Sequence, residues 1–91
     1  MSKPSEDEIK QALAEAVRMR EQGDDPHFLA KTLLNHHYRL GYLQEVLQAV
    51  ERYLHSGMAE PEHAHLLRTL EKARRAEERT AKVEHRDLGL G

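Results

Sequence analysis

Seven histidines, His27, His36, His37, His55, His63, His65 and His85, are the residues of this chain best suited to chemistry, and that chemistry would be metal binding. A helix presents two ligands to one ion when they lie three or four residues apart, because only those spacings share a face. No two of these histidines have that spacing. His36 and His37 diverge by about 100° on a helix, and His63 and His65 point nearly opposite ways. Glu60 to His63 and Glu62 to His65 do form Glu-x-x-His strings. A di-iron carboxylate bundle carries that motif on two helices and adds a Glu from each of two others. Here both strings overlap at one helix start, where acidic residues are favoured by the helix dipole. The sequence therefore predicts no metal and no cofactor, and a histidine-based metal-binding protein is the alternative to the main reading below.

Catalysis finds little to work with. The chain has no cysteine, which removes thiolate zinc sites, disulfides and cysteine nucleophiles. It contains no nucleophile elbow, phosphate-binding glycine loop or zinc-protease string. Ser5 and Ser56 stand where helix ends need hydroxyls, and the carboxylates form no isolated pair in an apolar setting. A small bundle also offers little room for a pocket of roughly 300 Å³ or more. No enzyme is expected.

The elements that would position any site are helices. Ser5 followed by Glu8 is a capping box. Ile9, Leu13, Ala16 and Val17 then make one apolar face, and Gly23 is placed to end that helix. Asp25-Pro26 reads as the N-cap and first position of the next helix. Ser56-Gly57 closes it, and Pro61 opens the last helix with Leu66, Leu67, Leu70 and Ala73 on one side. Beyond about Ala76 the apolar surface runs out. Ninety-one residues are one domain's worth, and the predicted organisation is a disordered 1–4, a helical bundle over 5–78, and a fraying charged end over 79–91 that finishes in a disordered Leu88-Gly89-Leu90-Gly91.

The middle helix carries the clearest pattern. Leu33, Leu40, Leu47 and Leu54 lie seven residues apart, and Leu29, His36, Leu43 and Val50 alternate with them. In heptad letters these are the a and d positions of a seam that faces a partner helix. The seam is expected to be the core. His36, a polar residue at d, would fix register and respond to mild acid. The predicted fold is all-α, a small antiparallel bundle of three helices with a long central helix over about 26–56, or of four if the chain breaks at Gly41.

Leu40-Gly41-Tyr42 resembles the turn of a tetratricopeptide-type helical hairpin, where a glycine precedes an aromatic. The resemblance covers about 30 residues and implies helices of about 26–40 and 42–56. Leu34, Val46 and Tyr53 stand where that family has small residues, and no second repeat is present. The heptad phase passes through Gly41 undisturbed, and a single continuous helix is the reading taken here.

On a continuous helix Leu34, Tyr38, Tyr42, Val46 and Tyr53 form a second stripe, roughly opposite the leucines. Tyrosine is enriched at interfaces, and these five residues are the expected protein-interaction face. The implied function is a small cytoplasmic interaction or scaffold module that self-associates, as a dimer, or docks on a larger protein. Lys and Arg number 14 against 16 Asp and Glu, and the basic run from Arg68 to Arg86 is interleaved with Glu71, Glu77, Glu78 and Glu84. That composition argues for a solvated face with intrahelical ion pairs rather than nucleic-acid binding. No stretch is long and apolar enough for a membrane span.

Overall fold

The computed structural model describes residues 2–87, with side chains to residue 81. Three helices follow one another: α1 (Glu6–Glu21), α2 (Leu29–His55) and α3 (Glu60–Asp87). The protein is all-α, as its periodicity requires, and no strand occurs among the described residues.

Each boundary has a local cause. At the start of α1 the Ser5 hydroxyl accepts from the Glu8 N–H at 3.1 Å, and the Glu8 carboxylate accepts from the Ser5 N–H at 2.7 Å. The capping box is therefore closed in both directions. At the far end Gly23 adopts φ +66, its N–H reaches Arg20 O at 3.3 Å, and the Asp24 N–H reaches Met19 O at 2.9 Å. That pair of bonds is a Schellman motif, and it satisfies carbonyls the helix leaves free. The end of α2 repeats it: the Gly57 N–H bonds Leu54 O at 3.2 Å and the Met58 N–H bonds Tyr53 O at 2.9 Å. Ser56 then takes the Ala59 N–H at 3.2 Å just ahead of α3, and Pro61 falls in the first turn, where its missing N–H is harmless.

Helix α2 begins later than Pro26. Asp25, Pro26, His27 and Phe28 form a turn instead, with Phe28 N–H on Asp25 O at 3.2 Å and Phe28 at φ +58. Asp25 still caps the helix, but from the start of the turn, four residues before Leu29: its carboxylate accepts from the Ala30 and Lys31 N–H groups, both at 3.0 Å. Arg20 adds a 3.3 Å contact to the same carboxylate. The left-handed Phe28 lies at the bend between Asp25 and the first residue of α2. From Leu29 the helix runs unbroken through Gly41. No Cβ at Gly41 would meet anything within 4 Å, so nothing presses the chain to break there.

The chain divides into two compact units, Met1–His37 and Tyr38–Gly91. In the first, Ala16 of α1 and Ala30 of α2 are buried, together with the capping carboxylate of Asp25. Ile9, Leu13, Met19 and Leu34 are half-buried. In the second, Ala49 of α2 and Thr69, Ala73 and Ala76 of α3 are buried. The buried Thr69 hydroxyl is satisfied by His65 O at 2.8 Å.

The leucine seam is not the core. Leu29, Leu33, Leu40, Leu43, Leu47 and Leu54 are between 39% and 68% exposed, Val50 is half-buried and His36 is exposed. The buried side of α2 in the second unit is Tyr42, Val46, Ala49 and Tyr53, spaced four, three and four. Thr69, Ala73, Ala76 and Thr80 repeat that spacing on α3. Small residues let two helix backbones approach closely, and the alanines meet that need where leucines would hold the helices apart. Helix α3 also outlasts its apolar face. It continues beyond Ala76 to Asp87, and Arg79 bonds back to Tyr38 of α2. The expected Leu88-Gly89-Leu90-Gly91 tail lies outside the described residues.

Candidate functional site

The five residues of the second stripe divide between the two units. Leu34 is half-buried in the first. In the second, all three tyrosines contact α3. Tyr53 lies against the His63 ring, with centroids 5.4 Å apart. Tyr38 and Tyr42 pack edge to face at 5.3 Å and 82°. Arg79 reaches them from α3, donating to the Tyr38 hydroxyl from Nε at 3.2 Å and from Nη2 at 2.9 Å. The same Nη2 lies 3.5 Å from the Tyr42 hydroxyl. Val46 is half-buried between them in sequence. The tyrosines of this stripe meet another helix of their own chain, while among the described residues the leucine face stands open.

The tyrosine pair is electrostatically unequal. Arg79 holds the Tyr38 phenol below the usual tyrosine range, because its donors favour the phenolate, and the Tyr42 hydrogen bond adds to this. Tyr42 is pushed the other way by its hydrogen bond to Tyr38 and by the charge that Tyr38 would acquire. Arg79 is raised by its hydrogen bond to Tyr38.

Beside this group lies an open cleft of about 550 Å³. Tyr38, Gly41, Tyr42 and Glu45 form its α2 wall, and Lys72, Arg75 and Arg79 form its α3 wall. A shallower depression of about 380 Å³ lies along α2 at Gln48, Glu51, Arg52 and His55.

The histidines do not converge. Among the described residues no three His, Asp or Glu side chains gather as a metal would require. His63 is engaged with Tyr53, His36 and His37 are exposed, and the His85 side chain lies outside the described ones. No described helix is long and apolar enough to cross a membrane.

Sequence reasoning missed the Arg79 contact and the cleft. Both depend on which residue of α3 stands opposite Tyr38, which no spacing within one helix reveals. Gly41 was the available signal: a glycine inside a helix, with no turn to make, costs the helix stability and invites a second reason for its presence. No family model, curated protein or solved structure matches this chain.

Proposed function

We propose that this protein is a self-associating helical module that works by pairing rather than by catalysis, and that a second copy covers its leucine face. The observation that carries this reading is the exposure of Leu40, Leu43, Leu47 and Leu54 at a and d positions of one helix. A heptad seam is the surface on which two helices interlock side chains, and here the described residues of the second unit leave it open. Leu29 and Leu33 carry the same letters in the first unit and are exposed as well. Contiguous apolar surface of this kind is rarely left to water in a soluble protein.

The occupant is a second copy because the stripe is complementary to itself. Every a and d residue in the second unit is Leu or Val, so two such stripes offer matching knobs and holes. A foreign partner would need the same periodicity. From Leu40 to Leu54 the stripe is about 21 Å long, enough for two full heptads.

Sedimentation equilibrium tests this directly. The wild type is expected to self-associate in the micromolar range. Leu43→Glu with Leu47→Glu should give a monomer of unchanged helicity, since both side chains are already open to solvent in the single chain. A wild type that stays monomeric at high micromolar concentration ends the proposal.

A further inference from the structure

The cations of α3 are not scattered as their order in the sequence suggests. Arg68, Lys72, Arg75 and Arg79 follow at intervals of four, three and four. On a helix they fall within an arc of about 60°, with Glu71, Glu77 and Glu78 outside it. Like charges at these spacings disfavour a helix, and the fold relieves little of that. Arg75 has one exposed ion pair, to Glu71 at 3.4 Å, and Arg79 bonds only to the tyrosine hydroxyls among the described residues. A chain with net charge −2 thus keeps three cations beside its cleft, Lys72, Arg75 and Arg79, with only the exposed Glu71 pair on Arg75 to offset them among the described residues.

The opposite wall differs in chemistry. It carries two aromatic rings, one carboxylate at Glu45, and Gly41, which has no side chain. A Cβ at Gly41 would touch nothing, so packing does not demand glycine there. What glycine does is leave the helix wall bare where the cleft runs past it. The site is therefore cationic on one side and, on the other, aromatic with a bare stretch of helix at Gly41 and a carboxylate at Glu45.

We propose that this cleft binds a phosphorylated nucleoside unit bearing an amino-substituted base. The phosphate lies on Lys72, Arg75 and the remaining donors of Arg79. The base lies along Gly41 and the tyrosine rings, with its exocyclic amine donating to Glu45. A simple anion leaves Glu45 unexplained, and an acidic peptide has no use for the bare wall. Aromatic rings beside cations are the recurrent means of holding single nucleotides or single strands. The same unit comes free or within a single strand, and the cleft, open along its length, admits either. This proposal is independent of self-association through the leucine face.

The test uses AMP, UMP, fluorescent oligo-dA and oligo-dT, and polyglutamate as probes. AMP should shift the amide resonances of residues 41–45 and 72–79, with an affinity about tenfold above that of UMP because only adenine offers an amine to Glu45. Gly41→Leu should weaken binding by about tenfold or more by filling the wall, while helicity holds or rises, since leucine is the better helix former. Lys72→Glu with Arg75→Glu should abolish binding, and Arg74→Glu, off the cationic line, should leave it unchanged. If the natural source is a strand, oligo-dA binds tighter than AMP. Its salt dependence then falls by about 0.7 in log–log slope when one cation is removed, as in Lys72→Gln. If the source is a free nucleotide, oligo-dA gains nothing over AMP. The proposal is overturned if neither AMP nor oligo-dA binds, if Gly41→Leu binds as well as wild type, if Arg74→Glu is as damaging as the double variant, or if polyglutamate binds as tightly as oligo-dA.

Discussion

Arg39 of α2 directs its Nε between the two carboxylate oxygens of Glu77 on α3, at 2.9 and 3.2 Å. Its neighbour Tyr38 receives Arg79, two positions further along α3. Two consecutive residues of one helix thus each hold a polar side chain of the other. Both members of the ion pair are more than one-third exposed, so the pair itself contributes about 1 kcal/mol or less. Its effect is on register. Sliding α3 by one residue would part both contacts at once, whereas the alanine packing beneath is more tolerant of a slip.

Ala49 and Leu47 should respond to substitution in the opposite order to their size. Ala49 is fully buried and Leu47 is 58% exposed. Ala49→Leu is expected to cost about 1–3 kcal/mol by overpacking. Leu47→Ala should stay within about 0.5 kcal/mol in dilute, unassociated protein. Urea unfolding followed by circular dichroism measures both, and a reversed order would restore the leucine seam as the core.

Asp25 should make the N-terminal unit sensitive to acid. Burial pushes its carboxyl upward, but the N–H groups of Ala30 and Lys31 and the Arg20 guanidinium together hold it below the usual carboxylate range. A carboxyl depressed by folding stabilises fully above its unfolded pKa of about 3.9, and that contribution is lost as pH falls through the lower folded value. Asp25→Asn should therefore lower Tm at neutral pH by roughly 4–8 °C. The difference from wild type should shrink below about pH 4. Thermal melts at several pH values provide the comparison.

The tyrosine pair should titrate in two steps. In a Tyr53→Phe background the remaining absorbance change near 295 nm reports Tyr38 and Tyr42 alone. Tyr38 should ionise first, helped by Arg79, and Tyr42 later, against the charge beside it. Arg79→Gln should move the first step upward and bring the two together. A single step in the parent, unmoved by Arg79→Gln, would show that the contact does not persist in solution.

Chelation should change nothing. Tag-free protein in excess EDTA is expected to keep its helicity and its state of association, because no described group of ligands could hold a metal. Stoichiometric zinc or iron after purification would bring the histidine reading back.

Helix ends were legible because they are local. Ser5 with Glu8, Gly23 and Ser56-Gly57 each act on backbone groups a few residues away, and the structure uses all of them as caps. The turn at Phe28 was hidden, because a left-handed phenylalanine has no marker in sequence. The faces of α2 were inverted for a different reason. Heptad spacing reports that a stripe can pair with a helix but not whether that helix belongs to the same chain. Ala49, which decided the matter, looks unremarkable beside four leucines at a positions. The cleft was illegible for the same cause, since Tyr38 and Arg79 stand 41 positions apart.

Among the described residues no large side chain is fully buried, and the apolar residues that are buried are all alanine. Melting the single chain therefore wets little surface that was dry. Its heat-capacity increment should fall below the ~12–15 cal/mol/K per residue usual for globular proteins, and its unfolding enthalpy should be correspondingly small. A small enthalpy spreads the thermal transition over a wide interval, and a small increment flattens the curve of free energy against temperature. The isolated chain should soften gradually on warming and give up little on cooling. The sharp calorimetric peak of a well-filled protein should emerge only when two copies close over the leucines.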